Sequence, residues 1–133
     1  MAKLNHLAII VNNVDNALNF WRDALGLQVR QAERNEGEEV DLAFLPAGDA
    51  DIELISPINE TSGVAKFLTK HGPGLHHVCI EVEDIRATIQ RMKEHKVMLL
   101  NDTPKVNDEG TQYCFIHPKS AYGVLVELYE KAK

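Results

Sequence analysis

The stretch His6-Leu-Ala-Ile-Ile-Val-Asn-Asn-Val-Asp-Asn-Ala-Leu18 returns, changed but in register, as His77-Val-Cys-Ile-Glu-Val-Glu-Asp-Ile-Arg-Ala-Thr-Ile89. The offset is 71 positions (77 − 6), and Leu7/Val78, Ile9/Ile80, Val11/Val82, Val14/Ile85 and Leu18/Ile89 stay apolar in both copies. Each copy begins with alternating apolar residues and then shifts to helical spacing, so each reads as a strand followed by a helix. A second echo sets Ile52-Glu53-Leu54 against Val126-Glu127-Leu128, at an offset of 74 (127 − 53). A unit that opens on a histidine strand and closes on a glutamate strand is therefore written twice. Two such units about a pseudo-twofold axis would gather two imidazoles and two carboxylates, a complete ligand set for a divalent metal.

Working outward from these segments, the pattern predicts strands over 4–11, 27–34, 40–45 and 51–56 in the first unit, with a helix over 14–25. Val14, Ala17, Leu18, Trp21 and Leu25 supply the apolar stripe of that helix, and Gly26 stops it. A short helix is expected over 60–70, followed by the turn-forming His71-Gly-Pro-Gly74. The second unit predicts strands over 75–82, 97–100, 113–117 and 124–130, with a helix over 85–95 capped by Asp84. The resulting expectation is one α+β domain over residues 1–133. It is made of two tandem βαβββ modules, about 1–58 and 75–133, in a curved, incomplete barrel around a metal site.

Alternation along the strands sets the direction of the ligands. Leu7, Ile9 and Val11 share one face, as do Val78, Ile80 and Val82, and these faces should carry the helices. His6 and His77 fall on the opposite face with Ala8 and Cys79, and Glu53 and Glu127 are likewise turned away from the helices by their apolar neighbours. A carboxylate between buried apolar residues is costly to ionise without a positive partner. A divalent cation would meet that need for both glutamates. His76 points to the other face from His77 and reads as structural.

Composition narrows the alternatives. The chain has 133 residues, enough for a core without staples, with 44% hydrophobic and 26% charged residues, ordinary for a globular protein. A formal net charge of −6 argues against a nucleic-acid surface. The two cysteines, Cys79 and Cys114, sit in apolar runs and read as buried thiols of a reducing compartment. The first residues enter a strand pattern at once rather than a signal or transit sequence, and no apolar run is long enough to span a membrane. A cytoplasmic location is expected. His71, His95 and His117 read as surface or loop residues, and Trp21 as part of the helix stripe.

His6, Glu53, His77 and Glu127 on twin βαβββ units resemble the vicinal oxygen chelate superfamily, over essentially the whole chain. Ile52-Glu-Leu-Ile-Ser-Pro57, Val64-Ala-Lys-Phe-Leu68, Gly74-Leu-His-His-Val78 and His117-Pro-Lys-Ser120 running into Gly123-Val-Leu-Val-Glu-Leu128 are similar to segments of its methylmalonyl-CoA epimerase family. The resemblance implies interconversion of (2R)- and (2S)-methylmalonyl-CoA by proton abstraction α to the thioester, with a divalent metal stabilising the enolate. It implies His6, Glu53, His77 and Glu127 as ligands of one ion per chain, Co²⁺ first, with Ni²⁺, Mn²⁺, Zn²⁺ or Fe²⁺ also suited to the donors. Some epimerases have Gln where this chain has Glu53. Glu127 is expected to act as one base, and Glu53 or Asp41 as the second. Lys119 is a candidate contact for a CoA phosphate. A homodimer is expected from the resemblance alone. Glyoxalase I (lactoylglutathione lyase) is the alternative activity, and a non-catalytic small-molecule binding protein of the same fold the alternative class.

Overall fold

The structure, a computed structural model, describes residues 1–133. It divides into two compact units, His6–His76 and a second formed by Met1–Asn5 with His77–Lys133. The boundary thus falls inside the first strand, and the connection 59–76 belongs with the first unit rather than standing between modules.

In the unit His6–His76 the strand order is β2-β3-β4-β1, with β1 Lys3–Ile10, β2 Gln31–Asn35, β3 Val40–Ala47 and β4 Ala50–Pro57. β1 runs parallel to β4, and β3 is antiparallel to both β2 and β4. The helix α1, Val14–Leu18, starts on Asn13, whose side chain accepts from the Asn16 N–H at 2.9 Å. It does not continue as one α-helix to Leu25. Asn19–Ala24 widens into π geometry, in which the Leu25 N–H reaches the Phe20 carbonyl at 2.8 Å, five residues back. The wider turn rotates Leu25 off the stripe and leaves it 53% exposed. Gly26, at φ 95°, ends the segment as expected. Val14 and Leu18 pack on Ala43, Leu45 and Leu54, with Ile9, Val11, Ile52 and Trp21 around them.

The helix α2, Gly63–His71, lies on the other face of the same sheet. Ser62 caps it, accepting from the Ala65 N–H at 3.1 Å. Its Val64, Phe67 and Leu68 pack against Ala8, Ile10, Val40, Leu42 and Ile55. His76 meets Phe67 edge-on at 4.9 Å between ring centres, in keeping with a structural residue.

The second unit repeats the plan in the order β5-β8-β7-β6, with β5 Gly74–Glu81, β6 Lys105–Val106, β7 Gln112–Ile116 and β8 Val126–Glu130. β5 is parallel to β8, while β7 is antiparallel to β8 and to β6. The helix α3, Ile85–Glu94, is capped by Asp84, which accepts from the Ala87 N–H at 3.0 Å. Asp84 stands 71 positions after Asn13, so the cap repeats with the helix. Ile85 and Ile89 pack on Cys114, Ile116 and Leu128, joined by Ile80, Val82 and Met92. The strand expected over 97–100 is instead a single bridge, Leu99 to Ile116. Neither set of four strands closes into a barrel. No helix is long and apolar enough to cross a membrane.

Candidate active site

The repeat places one histidine and one glutamate at matching register positions in each unit. Glu53 stands opposite Ala8 on β1, two residues beyond His6, so the two side chains share a face. His6 Nε2 lies 3.6 Å from Glu53 Oε1. Glu127 stands opposite Cys79 on β5, two residues beyond His77, and His77 Nε2 lies 3.1 Å from Glu127 Oε1. The apolar neighbours Ile52, Leu54 and Leu128 pack into the helix-facing clusters, which turns each carboxylate to the other side of its sheet.

His77 and Glu127 are buried side by side in one unit, and His6 is buried in the other. Glu53 is slightly more open, with 13% of its side chain exposed. Imidazole nitrogens and carboxylate oxygens suit a borderline divalent cation, so the donor chemistry fits the expected cofactor.

The other candidates lie elsewhere. Phe44 is the direct partner of Glu53 across β3 and β4 and so shares its face, the α2 side, which puts Asp41, three residues earlier, on the α1 side of β3 with Ala43 and Leu45. There Asp41 accepts two hydrogen bonds from Arg34, from Nε at 2.8 Å and from the terminal amino group at 3.1 Å. The guanidinium bonds and charge hold its carboxyl below the usual range, against a smaller opposing effect of burial. Lys119 is exposed on a 3₁₀ turn, Pro118–Ala121, where its N–H donates to His117 Nδ1 at 3.0 Å. Cys79 and Cys114 are fully buried. Burial, and then the Glu127 charge, push the Cys114 thiol up to about 11.

Sequence reading missed two pairs of residues at equivalent positions of the two units. Phe44 opposes Glu53, and Phe115 opposes Glu127 in the same way. The phenylalanines stand 71 positions apart (115 − 44), the same offset as the histidines, and that shared spacing was the available signal. Ser56 and Glu130 sit three residues beyond Glu53 and Glu127. Each accepts from the first N–H of a helix, Val14 to Ser56 Oγ at 3.1 Å and Ile85 to Glu130 Oε1 at 2.8 Å.

The model of the glyoxalase/bleomycin resistance protein/dioxygenase superfamily matches residues 5–115. The mitochondrial methylmalonyl-CoA epimerase of Mus musculus is 38% identical over 129 residues, 96% of this chain and 72% of the mouse protein. The ethylmalonyl-CoA/methylmalonyl-CoA epimerase of Cereibacter sphaeroides is 38% identical over 130 residues, 96% of this chain and 97% of that protein. A Streptomyces coelicolor methylmalonyl-CoA epimerase variant in complex with 2-nitronate-propionyl-CoA superposes with a TM-score of 0.84 at 32% identity, covering 98% of this chain and 94% of that one. The lactoylglutathione lyase of Haemophilus influenzae is 24% identical over 119 residues, 90% of this chain and 87% of the lyase. The chain belongs to the glyoxalase/bleomycin resistance protein/dioxygenase superfamily and, within it, to the methylmalonyl-CoA epimerase family.

Proposed function

We propose that this protein is an isomerase that epimerises methylmalonyl-CoA at C2. The observation that carries the reading is the doubled His–Glu pair, His6–Glu53 at 3.6 Å and His77–Glu127 at 3.1 Å, at equivalent positions of two repeated sheets. The family of the relatives supports the substrate.

The reaction removes a proton α to a thioester and returns it to the opposite face, which is simplest with two opposed bases. A carboxylate titrating near the ordinary value of about 4.3 is a weak base for such a proton. A divalent ion bound by His6, Glu53, His77 and Glu127 would supply Lewis acidity at the thioester oxygen, making the α-proton easier to remove. Glu127 takes the proton on one side, with His77 beside it at 3.1 Å. For the second base we take Glu53 over Asp41, because Glu53 shares the face of His6 while Asp41 is turned to the opposite, α1 side and engaged by Arg34. Lys119, exposed on its turn, is our candidate for a CoA phosphate contact.

Incubation of the metal-loaded protein with (2S)- or (2R)-methylmalonyl-CoA in D₂O tests the reading. The expected result is deuterium at C2 together with formation of the other epimer. Conversion of the methylglyoxal–glutathione hemithioacetal instead would assign the lyase activity. Protein that purifies without metal and turns over neither compound would fit the binding-protein class. We further propose Co²⁺ as the ion, a homodimer and a cytoplasmic location, the last in accord with two buried thiols. Metal analysis and light scattering check the first two.

A further inference from the structure

A proton carried by Glu127 must pass to a carbon within hydrogen-bond reach of its carboxylate, so the substituents on that carbon meet the side chains beside Glu127. The residue directly opposite Glu127 on β7 is Phe115. Directly opposed positions on one face of an antiparallel pair bring their Cβ atoms within about 5 Å, so the phenyl ring flanks the carboxylate. The ring is also fixed in direction. It meets His77 edge-on, with centres 5.6 Å apart and planes at 87°, and Tyr113 at 6.5 Å and 84°.

Phe44 is its counterpart in the other unit, opposite Glu53, but it has other work. It packs against the cluster covered by α2, and the Arg30 guanidinium lies 5.1 Å over its ring. Phe115 belongs to no such cluster. The core of its unit lies on the other face of the sheet, under α3, and is built from Ile85, Ile89, Cys114, Ile116 and Leu128. A large, half-buried phenyl that no helix uses, held edge-on by a site histidine beside the base, is placed to act on substrate rather than on folding.

We infer that Phe115 is the wall that sets the size of the C2 alkyl group, admitting methyl and crowding ethyl. This rests on the epimerase reading above. The Cereibacter relative is named for both ethylmalonyl-CoA and methylmalonyl-CoA, so the two substrates are the natural probes.

The test is the ratio of kcat/KM for ethylmalonyl-CoA to that for methylmalonyl-CoA, measured on metal-loaded protein by deuterium uptake at C2. One methylene in a fitted pocket is worth roughly 10- to 200-fold in discrimination. Phe115→Leu, which opens the wall, should therefore raise the ratio by about tenfold or more, and Phe115→Trp should lower it. The two variants must move it in opposite directions, and if one fails to fold the other still decides. A ratio that stays within twofold of wild type in the folded variants overturns the wall, and so does a parallel loss for both substrates with reduced metal content, because Phe115 would then only support His77. Wild-type protein that epimerises neither compound would instead remove the functional reading on which the wall rests.

Discussion

The backbone N–H of Ile85 donates to Oε1 of Glu130 at 2.8 Å, so the strand that carries Glu127 is tied to the first residue of its helix. The other oxygen of Glu130 accepts from Gln112 Nε2 at 3.1 Å, which brings β7 into the same link. In the first unit Ser56 does this for Val14 with a hydroxyl that is 2% exposed. The repeat therefore keeps not only its His and Glu positions but also the ties that hold the glutamate strands to the helices.

Loss of a tie should cost stability. Ser56→Ala leaves the Val14 N–H without its buried acceptor and should destabilise the protein by about 1–2 kcal/mol in urea unfolding. Glu130→Gln keeps an amide oxygen for Ile85 and should cost less than Glu130→Ala. An unchanged midpoint in Ser56→Ala would show that water replaces the hydroxyl.

Metal affinity should separate the adjacent histidines. His77→Ala is expected to lose most bound ion in equilibrium dialysis, whereas His76→Ala should bind nearly as wild type, since His76 packs on Phe67. The reverse outcome would put the ligand one residue earlier.

Glutamine at position 127 keeps a ligating oxygen but cannot accept the proton. Glu127→Gln should hold at least part of its metal while epimerisation falls by about 10² or more. If two opposed bases operate, this variant could still exchange the α-proton of one epimer with D₂O without inverting it. Near-normal turnover in the metal-loaded variant would remove Glu127 as the base.

Asp41→Asn should leave epimerisation within about threefold of wild type, because the carboxylate faces the α1 side with Arg34, opposite to Glu53, and a positioned base is worth far more than that. Its folded pKa lies below the unfolded one, so the pair adds stability above the unfolded value, near 3.9, and loses it as pH falls through the folded value. Wild type and variant should differ slightly at pH 6 and converge in acid; the difference is small because the pair is exposed. A drop in turnover of 10² or more would restore Asp41 as the second base.

Cys79 and Cys114, both 0% exposed, should not react with a disulfide reagent at pH 8 in the folded protein, and two thiols should appear in denaturant. Rapid labelling of the native protein would place at least one of them at the surface.

What the sequence made legible was whatever period two and a repeated spacing can carry. His6 and Glu53 lie on the face away from α1, and His77 and Glu127 on the face away from α3, because alternation with Ile9, Ile52, Leu54, Ile80 and Leu128 leaves them no other side. Alternation does not show that α2 packs on the first of these faces, over Ala8, Ile10 and Ile55. The departures have local causes. The π turn over Asn19–Ala24 is invisible to a stripe counted at 3.6 residues per turn, so the stripe puts Leu25 on a face it does not share. β2 is a polar, mostly exposed run, Gln31-Ala-Glu-Arg-Asn35, with no alternation to mark where it begins. Residues 97–100 look like a strand in isolation, but only Leu99 forms a bridge. The resemblance offers Asp41 as a base, and only the pairing of Phe44 with Glu53 reveals which way it faces.

Met1–Asn5 belongs with His77–Lys133, while His6–His76 is one unbroken stretch of chain, and this has a consequence for assembly. The unit that holds Met1–Asn5 is built from two pieces of chain, so it forms only by closing a loop over residues 6–76. Lys3 is joined to Glu81 at 3.6 Å and Asn5 to the same carboxylate at 3.0 Å, and Lys131 also reaches it at 3.6 Å. Glu81 is thus the clasp of that loop, one carboxylate on which three separate segments of the chain converge.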